Sequence, residues 1–208
     1  MIRGEIVEYV EREILPRYCA FDKAHGVDHA QTVIDESLSL SAYYPEVDVE
    51  MAYLIAAYHD LGLCDGRERH HIVSGEILRA DVFVAERFSA EQIGIMAEAI
   101  EDHRASAKGD PRTIYGRIVA EADRVISPEV TLRRTVQYGL RENPDATRDQ
   151  HFARFCDHLQ DKYAEGGYLK LYIAHGKNAE RLEELRAVIG DERELRRRFE
   201  QIFEDENY

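Results

Sequence analysis

The stretch Met51-Ala52-Tyr53-Leu54-Ile55-Ala56-Ala57-Tyr58-His59-Asp60-Leu61-Gly62 decides the fold. Its first eight residues are apolar or aromatic, and they are followed by the adjacent pair His59-Asp60. Apolar side chains recur at helical spacing, and Asp48 is a suitable residue to cap the amino end. Gly62 stands where a helix commonly ends in a left-handed residue. The stretch therefore predicts a buried helix that closes on a histidine and a carboxylate.

Helical periodicity continues on both sides of this stretch, while the alternation typical of strands is nearly absent. Ser89 and Gln92 form a capping-box pattern at the start of one helix. The sequence therefore predicts an all-α fold, with a helical bundle over residues 1–127 and a C-terminal helical extension over 128–208 that packs on it within one domain. Besides the central helix, the expected helices cover 26–44, 70–87, 90–104, 113–127, 129–142, 147–164 and 178–205.

Composition excludes several classes of protein. The 208 residues include 27 Lys and Arg against 41 Asp and Glu, a net charge of −14. This balance disfavours a nucleic-acid polymer, or an anionic membrane surface, as a partner. No apolar run reaches the length of a membrane span, and residues 1–5 lack an apolar stretch, so no signal peptide is expected. Three cysteines without a paired motif (Cys19, Cys64 and Cys156) predict neither disulfides nor a thiolate zinc site, so a cytoplasmic protein is expected.

Several polar side chains are phased onto the apolar faces of the predicted helices. His29 lies four residues before Val33, and His103 lies three residues after Ile100. Burying imidazoles and carboxylates without partners is costly, and convergence on a divalent metal removes that cost. The alternative is a set of hydrogen-bonded core residues without a metal. The candidate ligands are His29, His59, Asp60, His71, His103 and Asp123.

Three short motifs in order resemble the HD superfamily of metal-dependent phosphohydrolases. They are His25-Gly26-Val27-Asp28-His29, the pair His59-Asp60, and Glu121-Ala122-Asp123-Arg124, and the resemblance covers about residues 20–127. It implies an all-α HD domain in which His29, His59, Asp60 and Asp123 hold one divalent ion.

Two further segments resemble the branch of this superfamily that binds a second ion. They are His71-Ile72-Val73-Ser74-Gly75 and Ala99-Ile100-Glu101-Asp102-His103. The resemblance implies that His71 and His103 hold the second ion and that Asp60 bridges the two. His71 is preferred over His70 because of its four-residue spacing to Gly75. One or two ions both stay open, and nitrogen and oxygen ligands admit Mn, Fe, Mg, Zn, Co or Ni.

The expected reaction is hydrolysis of a small phosphate ester or nucleotide by a metal-activated water. Asp60 is the central catalytic residue, and His25 is either a general acid or a loop residue with a local hydrogen bond. Asp28 and Asp102 are candidates to orient ligating imidazoles. The developing negative charge needs cations, each of which could equally be an ordinary surface residue. Arg104 and Arg124 are the catalytic candidates, and Lys23, Arg69, Lys108 and Arg112 are the candidates for substrate binding.

Other functions within the same superfamily remain open. Leu63 stands where the cyclic-dinucleotide hydrolases have a lysine, and Leu61-Gly62-Leu63-Cys64 is not the acidic pair of the alarmone hydrolases. A small phosphorylated substrate is therefore expected. The alternatives are a di-iron oxygenase with the same ligands and a non-catalytic, metal-stabilised regulatory module. Aromatic residues within 152–172 are expected to cover the core or to form a dimer surface, so a second copy of the chain is a candidate partner.

Overall fold

A computed structural model describes residues 1–22, 25–104, 109–124 and 126–206. Within these residues the chain forms eleven α-helices and no strand, which confirms the all-α prediction. The chain divides into two compact units, Met1–Arg124 and Val125–Tyr208. The predicted packing of 128–208 on the bundle within one domain stays a prediction. Among the described helices, none combines the length and apolar character needed to cross a bilayer.

The N-terminal unit contains seven of the helices. Residues 4–20, for which the sequence predicted no helix, are also helical. Helix α1 is followed directly by a π-helical turn, Val10–Ile14, and a 3-10 turn, Leu15–Ala20. Another 3-10 turn, Leu61–Asp65, follows α3. The bounds are α1 Gly4–Tyr9, α2 Val27–Ser41, α3 Val49–Tyr58, α4 His70–Ala80, α5 Val82–Ala85, α6 Ala90–Asp102 and α7 Ile114–Ala122.

The central helix of this unit is α3, whose residues from Met51 to Tyr58 are all buried. It packs against α2, α6 and α7. Side-chain caps begin three of these helices: Asp48 accepts from the backbone N–H of Glu50, Ser89 and Gln92 form the predicted capping box, and Thr113 accepts from Gly116. The helices therefore begin where the sequence provides acceptors for their unpaired N–H groups.

Two predicted helices are each broken by an aspartate. The helix expected over 70–87 stops at Asp81, whose Oδ1 accepts from the N–H groups of Phe83 and Val84 and so starts α5. The other carboxylate oxygen of Asp81 accepts from the hydroxyls of Tyr9 and Tyr58, each at 2.7 Å. Such an aspartate offers the backbone an acceptor outside the helix, which periodicity alone does not reveal.

The C-terminal unit contains α8 Pro128–Glu142, α9 Arg148–Tyr163, α10 Lys177–Gly190 and α11 Glu192–Glu206. The last two were expected as one helix, but Asp191 ends α10 and accepts from the N–H groups of Arg193 and Glu194. The core of this unit includes Phe155, which is fully buried, and Phe199. Phe152 packs against the same core, so part of the aromatic cluster covers the core as expected, whereas Tyr168 is exposed.

Gly62 has a different role from the one expected. Helix α3 already ends at Tyr58, and Gly66, with φ of 97°, is the glycine in the left-handed region. A Cβ on Gly62 would lie 2.1 Å from the carbonyl oxygen of His70 and 2.6 Å from the backbone nitrogen of Ser74. The N–H of Gly62 donates to Ser74 Oγ at 2.8 Å. Gly62 is therefore required by the close approach of the 3-10 turn to α4, not by its φ angle.

We expect Gly62→Ala to push the 3-10 turn away from α4 and to destabilise the protein by at least about 2 kcal/mol, because the clash is with backbone atoms. The measurement is the melting temperature by circular dichroism. Gly94→Ala is the matched control: it lies inside α6, and its Cβ would have no neighbour within 4 Å. That change should raise stability by up to about 1 kcal/mol through helix propensity. Equal melting temperatures for the two variants would contradict the packing role of Gly62.

Candidate metal centre

Six side chains form two adjacent groups, and every one of them stands at a helix end. In the described residues, His29, His59 and Asp123 make one group, and Asp60, His70 and His103 make the other, with ligand atoms within 4.8 Å of one another in each. His59, His103 and Asp123 directly follow the last residues of α3, α6 and α7. Since a side chain beyond a helix end is not confined to one helical face, adjacent residues such as His59 and Asp60 can serve neighbouring positions.

The first group is compact. His29 Nε2 lies 3.1 Å from Asp123 Oδ1 and 3.3 Å from His59 Nε2. His59 Nε2 lies 3.8 Å from the same Asp123 oxygen. The His59 side chain is fully buried, whereas those of His29 and Asp123 are partly accessible. The group therefore has a buried wall and an accessible side.

Asp60 presents one carboxylate oxygen to each group. Its Oδ2 lies 3.4 Å from His59 Nε2 and 3.8 Å from His29 Nε2. Its Oδ1 lies 3.5 Å from the Nε2 atoms of both His70 and His103. The Nε2 atoms of that second pair are 3.2 Å apart. A carboxylate in this position can bridge two cations, which is the arrangement expected from the sequence for Asp60.

The preference for His71 over His70 is corrected by the structure. His70 Nε2 faces Asp60 and His103, while His71 belongs to neither group. The two rings are neighbours, with centroids 5.4 Å apart. The buried Nδ1 of His71 has no hydrogen-bond partner among the described residues. The four-residue spacing to Gly75 pointed to the wrong histidine because α4 begins at His70, so His70 lies at the helix end beside Asp60.

Backbone carbonyls orient three of the four imidazole rings of the cluster. The Nδ1 atoms of His59, His70 and His103 lie 2.7, 2.8 and 2.6 Å from the carbonyl oxygens of residues 56, 67 and 100, each three positions earlier. Each Nδ1 must donate to such an acceptor, so Nε2 is the nitrogen that faces the site, where it can carry a proton or bind a metal. Asp102, expected to orient an imidazole, instead binds Arg112. The orienting groups are therefore in the backbone, where sequence patterns do not show them.

Electrostatics keep both carboxylates of the centre ionised. Burial alone would raise the pKa of Asp60, but His59 and His103 outweigh it and hold the pKa below its usual range. The pKa of Asp123 is also lowered, because His29 and His59 outweigh its burial. Burial disfavours a charged His59, but Asp60 and Asp123 raise the pKa of its ring to about 9. In His70, burial dominates and lowers the pKa.

This donor set fits a divalent metal. Two pairs of imidazole Nε2 atoms stand 3.3 and 3.2 Å apart, so each pair needs a proton or a cation to separate its lone pairs. The ionised carboxylates of Asp60 and Asp123 supply the compensating negative charge. The ligands are nitrogen and oxygen only, which fits any of the six metals expected from the sequence.

Tyr18 is a supporting residue that the sequence patterns missed. Its fully buried hydroxyl donates to the carbonyl of Ala57 at 2.9 Å and accepts from the N–H of Asp60 at 3.3 Å. It therefore holds the chain on both sides of His59. Burial raises the pKa of this phenol well above its usual value, so it stays neutral. Tyr18 lies in the 3-10 turn of the N-terminal segment, where no helical periodicity singled it out.

The structure distributes the predicted substrate-side residues unevenly. Arg104 directly follows His103 and donates from Nη1 to the carbonyl of Glu68 at 2.5 Å. The guanidinium of Arg112 binds Asp102 and Glu101, so the structure ties it to the end of α6 rather than leaving it free for substrate. Arg69, which precedes α4, is exposed, and Arg124 is half-buried beside Asp123. Lys23 and Lys108 lie outside the described residues.

His25 stands beside the first group, with its ring centroid 6.0 Å from that of His29. Its Nδ1 donates to Asp22 Oδ1 at 2.8 Å, and Arg67 Nη2 lies 3.1 Å from Asp22 Oδ2. The sequence expectation of a local hydrogen bond for His25 is therefore realised. Arg67 was not among the predicted cations, and the structure brings it to the same edge.

Comparison with known proteins agrees with this geometry. Residues 26–127 match the family model described as the HD domain. The chain therefore contains an HD domain, and all six residues of the cluster lie inside the matched segment. Comparisons with curated proteins and with solved structures gave no match.

Two single substitutions distinguish the adjacent histidines. We expect His70→Gln to lose the ion held by the second group and His71→Gln to keep it, because only His70 directs Nε2 at Asp60. Metal content per chain by mass spectrometry is the measurement. If His71→Gln loses metal while His70→Gln keeps its full metal content, then α4 is rotated so that His71, not His70, faces Asp60.

A second pair of variants tests Tyr18. Tyr18→Phe leaves the carbonyl of Ala57 and the N–H of Asp60 without this partner, so stability should fall by about 1–3 kcal/mol and metal affinity by roughly tenfold. Tyr115→Phe is the control, because its hydroxyl accepts from the N–H of Asp48 at 2.8 Å, away from the ligands. Urea denaturation and competition with a chromophoric chelator give the two quantities. An equal drop in metal affinity for both variants would argue against a positioning role for Tyr18.

Proposed function

We propose that this protein is a metal-dependent phosphohydrolase that acts on a small phosphate ester or nucleotide. The observation that carries the proposal is the Asp60 carboxylate, which faces one histidine group with each oxygen. His29, His59 and Asp123 would hold one divalent ion, His70 and His103 the other, and Asp60 both. Two ions held side by side in this way could stabilise both the attacking and the leaving oxygen of a phosphoester.

The chain's own residues prepare this site before any ligand arrives. Carbonyl-bound Nδ1 atoms hold three imidazoles with Nε2 toward the site, so an ion bound there would replace only the Nε2 proton that the raised pKa of His59 keeps on its ring at neutral pH. Tyr18 fixes the backbone that joins His59 to Asp60. Bound divalent ions supply Lewis acidity at the phosphoryl oxygens and activate water at neutral pH.

Two side chains support a phosphoryl substrate in particular. With Nδ1 donating to Asp22, His25 is oriented so that Nε2 can exchange a proton with a leaving oxygen. Burial is the main cause of the lowered pKa values of His70 and His71, and the positive charge of Arg104 lowers them further. Arg104 directly follows His103 in the chain, so we assign it the role of stabilising negative charge that develops on phosphate oxygens. Arg124 and Arg69 stay candidates for the same task by their positions beside Asp123 and His70.

The substrate class follows from charge and from the size of the cluster. A net charge of −14 opposes a long polyanion, and a small phosphorylated molecule needs only the local cations. We also propose that the protein is cytoplasmic and that its partner is a second copy of the chain. No observed contact favours the di-iron oxygenase or the regulatory module over the hydrolase.

The first test compares wild type with Asp60→Ala, purified without added metal. We expect about two ions per wild-type chain, loss of both in the variant, and a fall in phosphoesterase kcat/KM of at least about a hundredfold. Asp145→Ala is the control, because that carboxylate is exposed in the turn between α8 and α9. It should leave metal content and turnover unchanged.

The assay panel includes p-nitrophenyl phosphate esters, nucleoside monophosphates and nucleoside triphosphates, with oxygen uptake measured in parallel. Phosphate release that disappears with Asp60 supports the proposal. Iron content with substrate-dependent oxygen uptake and no phosphate release would replace it with the oxygenase. Full metal occupancy without turnover on any of these compounds would favour the regulatory module.

A further inference from the structure

The C-terminal unit contains a cleft that the metal centre does not use. One face of α8 and one face of α9 enclose a cavity of about 430 Å³, open to solvent on one side. This volume lies within the range of small-molecule sites. Both walls follow helical four-residue spacing, with Arg134 and Tyr138 on α8 and Arg154, His158 and Lys162 on α9. Residues separated by four positions share a helix face, so the α9 wall is a continuous basic stripe.

The charge of this cleft is opposite to that of the protein. Its lining residues include Arg134, Arg154 and Lys162 but no carboxylate, in a chain with a net charge of −14. None of these three cations has an ion-pair partner among the described residues. Elsewhere in the same unit, arginines are neutralised locally: Arg133 binds Glu206, and Arg197 binds Glu194. The cleft therefore gathers uncompensated positive charge where the rest of the unit balances it.

Arg154 is held in place by the fold. Its Nη2 donates to the carbonyl of Thr135, while its buried Nε has no hydrogen-bond partner among the described residues. A Cβ on Gly139 would lie 2.5 Å from Arg154 Nη2. Glycine inside a helix costs about 1 kcal/mol relative to alanine, and here it makes room for the guanidinium against α8. The position of Arg154 thus depends on a residue that weakens the helix.

Two of the basic groups that line the cleft have lowered pKa values, and two lie close to aromatic rings. Burial is the main cause of the lowered pKa of Arg154. The pKa of His158 is lowered, first by burial and then by the positive charges of Lys162 and Arg154. Asp161 opposes this shift, but it is exposed and does not line the cleft. Lys162 Nζ lies 5.1 Å from the ring centroid of Tyr163, and the Arg154 guanidinium lies 5.7 Å from that of Tyr138. The cations therefore stand over aromatic rings instead of carboxylates.

We propose that this cleft is a second ligand site, which binds the phosphate group of a small phosphorylated molecule. The three positive charges of two guanidinium groups and an ammonium group exceed what a single carboxylate needs and are sufficient to neutralise a dianion. The hydroxyls of Tyr138 on the α8 wall and Tyr163 on the α9 wall are additional donors. The site does not depend on the proposed hydrolase activity, because every residue that lines it belongs to the C-terminal unit.

The test uses inorganic pyrophosphate as the probe and the full-length chain. Isothermal titration calorimetry is run on Asp60→Ala after dialysis against EDTA, so that the metal centre does not contribute. We expect one site per chain. Arg134→Gln and Lys162→Gln, each made in that background, should weaken binding by about tenfold or more, the loss of one charge-assisted contact. Arg197→Gln, which removes a paired arginine from α11, should leave the affinity unchanged.

Gly139→Ala is the sharpest variant, because it removes no charge. We expect weaker pyrophosphate binding, since the new Cβ displaces Arg154, together with equal or higher thermal stability from helix propensity. If Asp60→Ala does not fold, hydrogen–deuterium exchange on wild type with the same probe replaces calorimetry. Protection is then expected in peptides from 128–142 and 148–163.

Four outcomes would overturn the proposal. They are no binding at millimolar pyrophosphate, an equal loss of affinity in Arg197→Gln, protection confined to peptides that carry the metal ligands, and binding of an acidic peptide without any binding of pyrophosphate. The last outcome would identify the cleft as a protein-docking surface.

Discussion

The rest of the N-terminal unit depends on one buried carboxylate that faces two histidine groups. Asp60 is almost inaccessible, and its two oxygens lie within 3.8 Å of four imidazole Nε2 atoms. An ionised group at this depth is tolerated only when positive charge surrounds it. The lowered pKa of Asp60 has that cause, since His59 and His103 outweigh the effect of burial. The same two oxygens would bind the two divalent ions of the proposed site.

The supports of this carboxylate are mostly backbone groups. Tyr18 binds the peptide units on both sides of His59, and Gly62 lets the following turn approach α4 closely enough to place His70. The backbone carbonyls of residues 56, 67 and 100 accept from the Nδ1 atoms of His59, His70 and His103 and so orient these three rings. Such contacts are rigid because helix ends cannot shift without breaking the packing of α3 against its neighbours. The ligand geometry is therefore a property of the helix ends and not of side chains alone.

Much of the fold and most residues of the candidate metal centre could be predicted from the sequence because periodicity and capping are local. The Ser89 capping box and the apolar run of α3 both appear where expected. The break at Asp81 could not be predicted, because its carboxylate is held by Tyr9 and Tyr58, which are distant in sequence. Tyr18 was missed for the same reason. For the cleft of the C-terminal unit, the spacing of Arg154, His158 and Lys162 was a signal in the sequence, but the absence of facing carboxylates appears only when α8 is packed beside α9.

The sequence by itself determined an all-α fold and, through its resemblance to the HD superfamily, singled out His29, His59, Asp60, His103 and Asp123 as candidate ligands. Only the tertiary structure decided between His70 and His71. Neighbouring residues of a helix point about 100° apart, so the choice depends on how α4 is seated on the turn at Gly62. That seating is a contact between backbone atoms, with the N–H of Gly62 bonded to Ser74 Oγ. A local pattern of side chains does not contain it.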